Sequence, residues 1–205
     1  MSEDISKIYP LEFFRTRMGY ARAYYAFADA IWDVFKPEAL ADVGCGSAFI
    51  LSRLMEKVHC IGVEASAGAI ATIPWAIRRF VHVHDIALER PIPQMADFEF
   101  CASVEVAEHV APDCVDNFLD WVTCGERLLL TAAPPEQRGG THHVNPQPRE
   151  YWIEHLARRG FSYEPAWTEK WQVAAQRGTK GCPWVVRNAM FFVRGGSPSG
   201  DRPAA

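Results

Sequence analysis

The stretch Ala39-Leu-Ala-Asp-Val-Gly-Cys-Gly-Ser-Ala-Phe-Ile50 constrains this chain more than any other. A short apolar run, Leu40 to Val43, ends in two glycines, Gly44 and Gly46. A helical pattern follows at once, with Ile50, Leu51, Leu54, Met55 and Val58 on one face. The reading is a strand, a tight turn and a helix. The glycines let the backbone turn sharply and let a ligand come close. The helix N-terminus then presents free N–H groups to something polar or anionic. A second apolar run, Cys60-Ile-Gly-Val63, ends in Glu64. An acidic side chain at the tip of a second strand can accept both hydroxyls of a ribose. The first half of the chain therefore reads as a nucleoside-binding βαβ unit.

The spacing narrows the choice of nucleoside. The nicotinamide fingerprint needs a third small residue where this chain carries Phe49, which counts against an NAD-dependent oxidoreductase. Asp42, Gly44, Cys45, Gly46 and Ala48 instead resemble the D-x-G-C-G-x-G/A motif of class I S-adenosylmethionine-dependent methyltransferases, with alanine at the last position. The resemblance implies that S-adenosyl-L-methionine is the cofactor. It implies that Asp42, Gly44, Cys45 and Gly46 hold its methionine end and that Glu64 holds its ribose. It also implies that Asp85, after the alternating run Phe80-Val-His-Val-His84, takes the adenine amino group, with Ile86 or Ala87 as backbone neighbours.

The remaining chain supplies the rest of a sheet. Phe98 to Ser103 reads as strand four, Arg127 to Thr131 as strand five, Phe161 to Trp167 as strand six and Asn188 to Val193 as strand seven. Thr168 to Trp184 reads as a polar excursion broken by glycine and proline. The expected fold is α/β: a Rossmann-like, doubly wound seven-stranded sheet, strands 1–5 and 6 parallel and strand 7 antiparallel, with helices on both faces. Three regions follow: a helical cap over 1–37, a methyltransferase domain over 38–195, and a disordered tail over 196–205. Tyr20, Tyr24 and Tyr25 of the cap are candidates to reach cofactor or substrate. In such a fold the ligand sits at the carboxyl ends of the strands, beside the point where strand order reverses.

Two stretches at those ends carry chemistry. In Glu105-Val-Ala-Glu108-His109, a helical turn would put both carboxylates and the imidazole on one face. With His142, or its neighbour His143, from the loop after strand five, Glu105, Glu108 and His109 form a shell for Mg²⁺, Mn²⁺, Fe²⁺ or Zn²⁺. Without a metal, His109, His142 or His143 is the natural general base. Glu105, just after strand four, is open to a cofactor contact instead. The E-V-x-E-H sequence also resembles that of ubiquinone-pathway O-methyltransferases and of small-RNA 3′-terminal 2′-O-methyltransferases. Trp152, Trp171 and Trp184 are each stacking candidates, but core packing explains them as well.

Bulk properties limit the partners. The 205 residues make one domain. The 21 basic and 25 acidic side chains leave a net charge of -4, which argues against a broad nucleic-acid footprint. No apolar run is long enough to cross a membrane. The start, Met1-Ser-Glu-Asp-Ile-Ser-Lys7, is unlike a secretory signal, and the six cysteines include no C-x-x-C pair. The expectation is a reduced, cytoplasmic enzyme that O-methylates a hydroxyl on a small metabolite, sugar or glycan. The alternatives are terminal ribose 2′-O-methylation of RNA, an NAD-dependent oxidoreductase, and a catalytically inactive binding module that keeps the fold. Oligomeric state is left open.

Overall fold

The computed structural model describes residues 5–177 and 181–195. The expected tail over 196–205 lies outside the described residues. The chain opens with three helices, α1 (Ile5–Ile8), α2 (Leu11–Arg17) and α3 (Ala21–Phe35), with a 3-10 turn at Met18–Tyr20. Alternation of strand and helix then begins: β1 (Ala39–Val43), α4 (Phe49–Leu54), β2 (His59–Glu64), α5 (Ala67–Thr72), α6 (Trp75–Arg78) and β3 (Val81–Val83). Pro74 splits the pattern into α5 and α6, because it lacks the N–H a continuous helix needs. The second half holds β4 (Phe100–Val104), α7 (Val115–Val122), β5 (Arg127–Thr131), α8 (Arg149–Ala157), β6 (Phe161–Tyr163), α9 (Pro165–Gln176), α10 (Pro183–Asn188) and β7 (Ala189–Arg194).

The strands form one sheet in the order β3-β2-β1-β4-β5-β7-β6. All pairs from β3 to β5 are parallel, and β7 runs antiparallel to both β5 and β6. This is the expected seven-stranded topology. Both faces are covered, so the strands are nearly continuous apolar runs whose side chains alternate between two cores. Leu40, Leu129 and Phe191 face a core built with α3, α4 and α9, around Phe27, Ile31 and Trp171. Ala41, Leu128, Leu130 and Phe192 face the other core, around Phe118, Trp121 and Trp152 of α7 and α8. Phe35 stacks on Phe191 with centroids 4.2 Å apart, clamping the cap helix α3 to the sheet.

The amino ends of the strands are tied by one carboxylate. Glu99 accepts the N–H of Glu38 at 3.0 Å and of Ala39 at 2.8 Å, and its Oε1 lies 2.7 Å from Arg127. The carboxyl ends open into a cleft.

One sequence expectation needs correcting. Strand six ends at Tyr163, not Trp167, and the following stretch is helical rather than an irregular excursion. Pro165 sits in the first turn of α9, where its missing N–H is harmless. Trp171 and Ala175 then fall on one buried face, with Trp171 against Phe27 at 5.8 Å. The tertiary core settles a segment whose local pattern is weak. All six cysteines are free thiols. Among the described residues, no helix is long and apolar enough to cross a membrane.

Candidate active site

The cleft at the carboxyl ends has a volume of about 1130 Å³. It runs from the glycine loop to the loop after β5 and is roofed by α1, α2 and the 3-10 turn.

The glycine loop is built as the sequence requires. Gly44 and Gly46 have φ of 76° and 54°, in the left-handed region. The N–H groups of Gly44 and Cys45 both donate to the Val63 carbonyl, at 2.9 and 3.0 Å, so the loop is anchored to the tip of β2. A Cβ on Gly44 would lie 2.6 Å from a methyl of Val106, so the loop also packs on the segment after β4. Ala48, buried and with φ of 56°, caps α4 in a left-handed conformation.

Glu64 sits beside this loop. One of its oxygens accepts from the Gly46 N–H and the other from the Ser66 N–H, each at 2.8 Å. Burial raises its pKa, and these backbone donors oppose the rise. Asp42, almost fully buried, is pushed up to about 8, mainly by desolvation and then by the charge of Glu64. At the end of β3, Asp85 accepts the Ala87 N–H at 2.9 Å. Asp85, Ile86 and Ala87 line the same cleft. The cleft thus brings together Asp42, Gly44, Cys45, Gly46, Glu64, Asp85 and Ile86.

The acidic-histidine stretch departs from the one-face reading. Glu105 is not helical: its φ is 55°, and the following turn, Ala107–His109, is a 3-10 turn. Its side chain turns toward β5 and α10, accepting the Thr131 hydroxyl at 2.8 Å and the Asn188 amide at 3.2 Å. Asn188 also donates to Gln137 at 2.9 Å. Glu105 therefore belongs to a hydrogen-bonded network and not to the group that could hold a metal.

That group is Glu108, His109 and His143, whose ligand atoms lie within 4.8 Å of one another. Of the two adjacent loop histidines, His143 and not His142 joins the group. The backbone explains the choice. His142 has φ of 58°, so its carbonyl turns in to His109 Nδ1 at 3.1 Å while its side chain stays exposed. His143 turns inward instead, with Nε2 4.0 Å from Glu108 Oε1. Its ring lies over Gly140, where a Cβ would come within 2.1 Å of Nε2.

Glu108 is fully buried, and neither carboxylate oxygen has a hydrogen-bond partner. Desolvation, and then the charge of Glu105, push it up to about 8, and only the nearby backbone N–H groups of Glu108 and Ala133, outside the hydrogen-bond geometry, oppose the rise. His109 is pushed down to about 4, chiefly by burial. Its Nδ1 faces both the His142 carbonyl and the Tyr9 hydroxyl, the latter at 2.8 Å. A carbonyl only accepts, so Nδ1 carries the proton and Nε2 keeps a free lone pair.

The sequence reading missed Tyr9, Arg17, Gln137 and Asn188, all of which line the cleft. Tyr9 sits just before Pro10 and belongs to no periodic pattern. Arg17 stacks on Phe13, 3.3 Å from the ring centroid, and has no acidic partner among the described salt bridges. Of the three cap tyrosines, Tyr20 and Tyr24 line the cleft, whereas Tyr25 packs edge-on against Phe49. Trp171 is core; Trp152 is buried and lines the cleft; Trp184 lines it against Tyr20.

No family model matches the chain, and no curated protein matches it in sequence. Solved structures do match. The methyltransferase domain of bacterial CtHen1 superposes with a TM-score of 0.52 at 18% identity, over 70% of this chain and 87% of that one. Magnesium protoporphyrin IX methyltransferase ChlM from Synechocystis PCC 6803, with bound SAH, superposes at 0.60 and 13% identity, over 78% and 89%. The [4+2]-cyclase SpnF superposes at 0.51 and 15% identity, over 82% and 77%. With a sheet ordered β3-β2-β1-β4-β5-β7-β6 and a glycine loop at the tip of β1, the chain has the Rossmann-like fold of class I S-adenosylmethionine-dependent methyltransferases.

Proposed function

We propose that this protein transfers a methyl group from S-adenosylmethionine to a hydroxyl oxygen of a small metabolite, sugar or glycan. The observation that carries the reading is one continuous cleft. It joins the glycine loop, Glu64 and Asp85 to a buried carboxylate, Glu108, whose oxygens have no partner. A buried, unpartnered carboxylate is costly unless a ligand, a proton or an ion completes it.

When bound, the cofactor supplies an electrophilic methyl carbon attached to a sulfonium. The chain supplies alignment and a place for the hydroxyl proton. The loop from Gly44 to Ala48 and Glu64 hold the cofactor at the tips of β1 and β2. Arg17, which lines the same cleft and has no acidic partner among the described residues, offers a cation to its carboxylate end. His109, a weak base here, serves as an oriented acceptor through Nε2. Glu108, poised near neutrality, is the stronger proton acceptor once ionised. The cap and the loop 132–148 exclude water from the reacting oxygen.

The donor set fits a divalent cation. One carboxylate and two imidazoles, Glu108, His109 and His143, suit Zn²⁺, Fe²⁺ or Mn²⁺. Such an ion would lower the pKa of an acceptor hydroxyl and orient it. Vicinal hydroxyls chelate best, so terminal ribose methylation of RNA stands as the second reading. It is favoured by the inward turn of His143, which adds a second imidazole to the E-V-x-E-H group. The net charge of -4 weighs against it.

Calorimetric titration with S-adenosylhomocysteine tests the reading, with and without chelator and added Zn²⁺, Mn²⁺ or Fe²⁺. Micromolar binding is expected, with NAD as a silent control. Binding of NAD in place of S-adenosylhomocysteine sinks the reading. A stoichiometric metal lost in Glu108→Ala separates the metal-assisted form from the metal-free one.

A further inference from the structure

We infer that Tyr9 is a positioning residue that links an occupied cofactor site to His109. The inference rests on the methyltransferase reading for what fills the cofactor site, but the link itself is a run of bonds. Glu64 accepts the Gly46 and Ser66 N–H groups, each at 2.8 Å. The Ser66 hydroxyl donates to the Tyr9 carbonyl at 2.7 Å. The Tyr9 hydroxyl lies 2.8 Å from His109 Nδ1 and 3.5 Å from the Thr141 carbonyl. One residue of the cap therefore touches the turn beside the ribose acid, the His109 ring and the loop that carries His143.

The directions of these bonds are fixed. His109 Nδ1–H donates to the His142 carbonyl and to the Tyr9 oxygen. The Tyr9 hydroxyl then has its own proton for Thr141. Removing the hydroxyl leaves His109 pinned from one side only and frees the Thr141 carbonyl.

Packing makes the link stiff. Gly68, at the start of α5, has no room for a side chain: a Cβ there would meet the Leu11 nitrogen at 2.5 Å and the Pro10 carbonyl carbon at 2.6 Å. The cap backbone lies flush on α5 at Tyr9, Pro10 and Leu11. Five residues on from Tyr9, Phe14 lies 3.6 Å from the position of a Cβ on Gly46. A ribose on Glu64 must compete for the carboxylate that also orders the Ser66 turn. It therefore acts on the turn that holds Tyr9. Movement of that turn is passed through the seated cap to His109 by this run of packed and hydrogen-bonded groups.

Affinity for S-adenosylhomocysteine reads the link from the cofactor end. Tyr9→Phe and His109→Ala are each expected to weaken binding by about two- to tenfold, the span of one neutral hydrogen bond. The double variant should bind no more weakly than either single one, because both remove the same contact. His109→Asn places an amide near the position of Nδ1 and should restore affinity to within about twofold of wild type. Losses that add in the double variant, or a Tyr9→Phe protein that binds like wild type, overturn the inference while leaving the methyltransferase reading intact. A wild-type protein that fails to bind S-adenosylhomocysteine removes both. Hydrogen exchange on the wild-type chain gives an answer even if a variant does not fold. Saturating S-adenosylhomocysteine should protect amides of residues 9–14 and 141–145 together, and protection of the cap alone overturns the link.

Discussion

The two ends of the cleft are finished to different degrees. At the cofactor end, the polar groups at the tip of β2 are satisfied by the protein itself: Glu64 is held by Gly46 and Ser66, and the loop nitrogens by Val63. At the acceptor end, Glu108 is buried with two empty oxygens, and Glu105 and His142 are non-glycine residues in left-handed backbone. Strain of that kind costs about 1–3 kcal/mol per residue and survives where the surroundings impose it. The difference teaches where the chain is complete alone and where it awaits a partner. A cofactor can displace hydrogen bonds already made, but an acceptor or ion must supply ones that are missing.

Breaking the cofactor end should give the largest effect. Gly44→Ala combines a left-handed φ with a contact 2.6 Å from Val106. Affinity for S-adenosylhomocysteine is expected to fall on the order of tenfold to a hundredfold, as 1–3 kcal/mol of strain dictates. Calorimetry checks it, and an unchanged affinity would show that the loop relaxes freely.

The acceptor end should answer to pH. Glu108 keeps its proton in the folded protein up to about 8, whereas an unfolded glutamate releases it near 4.3. Between those values the folded state binds more protons, so the wild-type protein loses stability as pH rises. Glu108→Gln removes that loss. Relative to wild type it should gain on the order of 2 kcal/mol between about pH 6.5 and about pH 8.5. Urea unfolding at both pH values measures the gain, and a difference that stays constant would place an ionised carboxylate in the resting site.

Gly140→Ala separates the two ends. The added methyl meets the His143 ring, so retention of Zn²⁺ or Mn²⁺ should fall about tenfold, while affinity for S-adenosylhomocysteine stays within about twofold. Equal losses in both would mean that the ends are not independent at this loop. The smallest effect is expected from His142→Ala. Its side chain is exposed and only its carbonyl serves His109, so metal retention and cofactor affinity should each change by less than about twofold, whereas His143→Ala should abolish metal retention.

The same contrast explains how much could be read from the sequence. The cofactor end was legible because a strand period, two glycines and an acid at a second strand tip each obey a local rule. The acceptor end was legible only in its ingredients. Glu105, Glu108 and His109 fit a helical face on paper, but Glu105 leaves it at one backbone angle and joins Thr131 and Asn188. Which of two adjacent histidines turns inward depends on the φ of His142 and the bare surface of Gly140, and spacing encodes neither. Tyr9 could not be found by pattern, because its partner lies 100 residues away. Pro165–Gln176 became helical through Trp171 and its core neighbours, a tertiary cause that local composition conceals.

Ala48 carries one last consequence. Its backbone is left-handed, which costs a non-glycine residue about 1–2 kcal/mol. Its methyl is completely buried in the core beside α4, which contributes about 0.8 kcal/mol. The two nearly offset. Ala48→Gly should therefore leave the stability of the folded chain nearly unchanged, so an otherwise unforgiving turn tolerates either small residue at its last position.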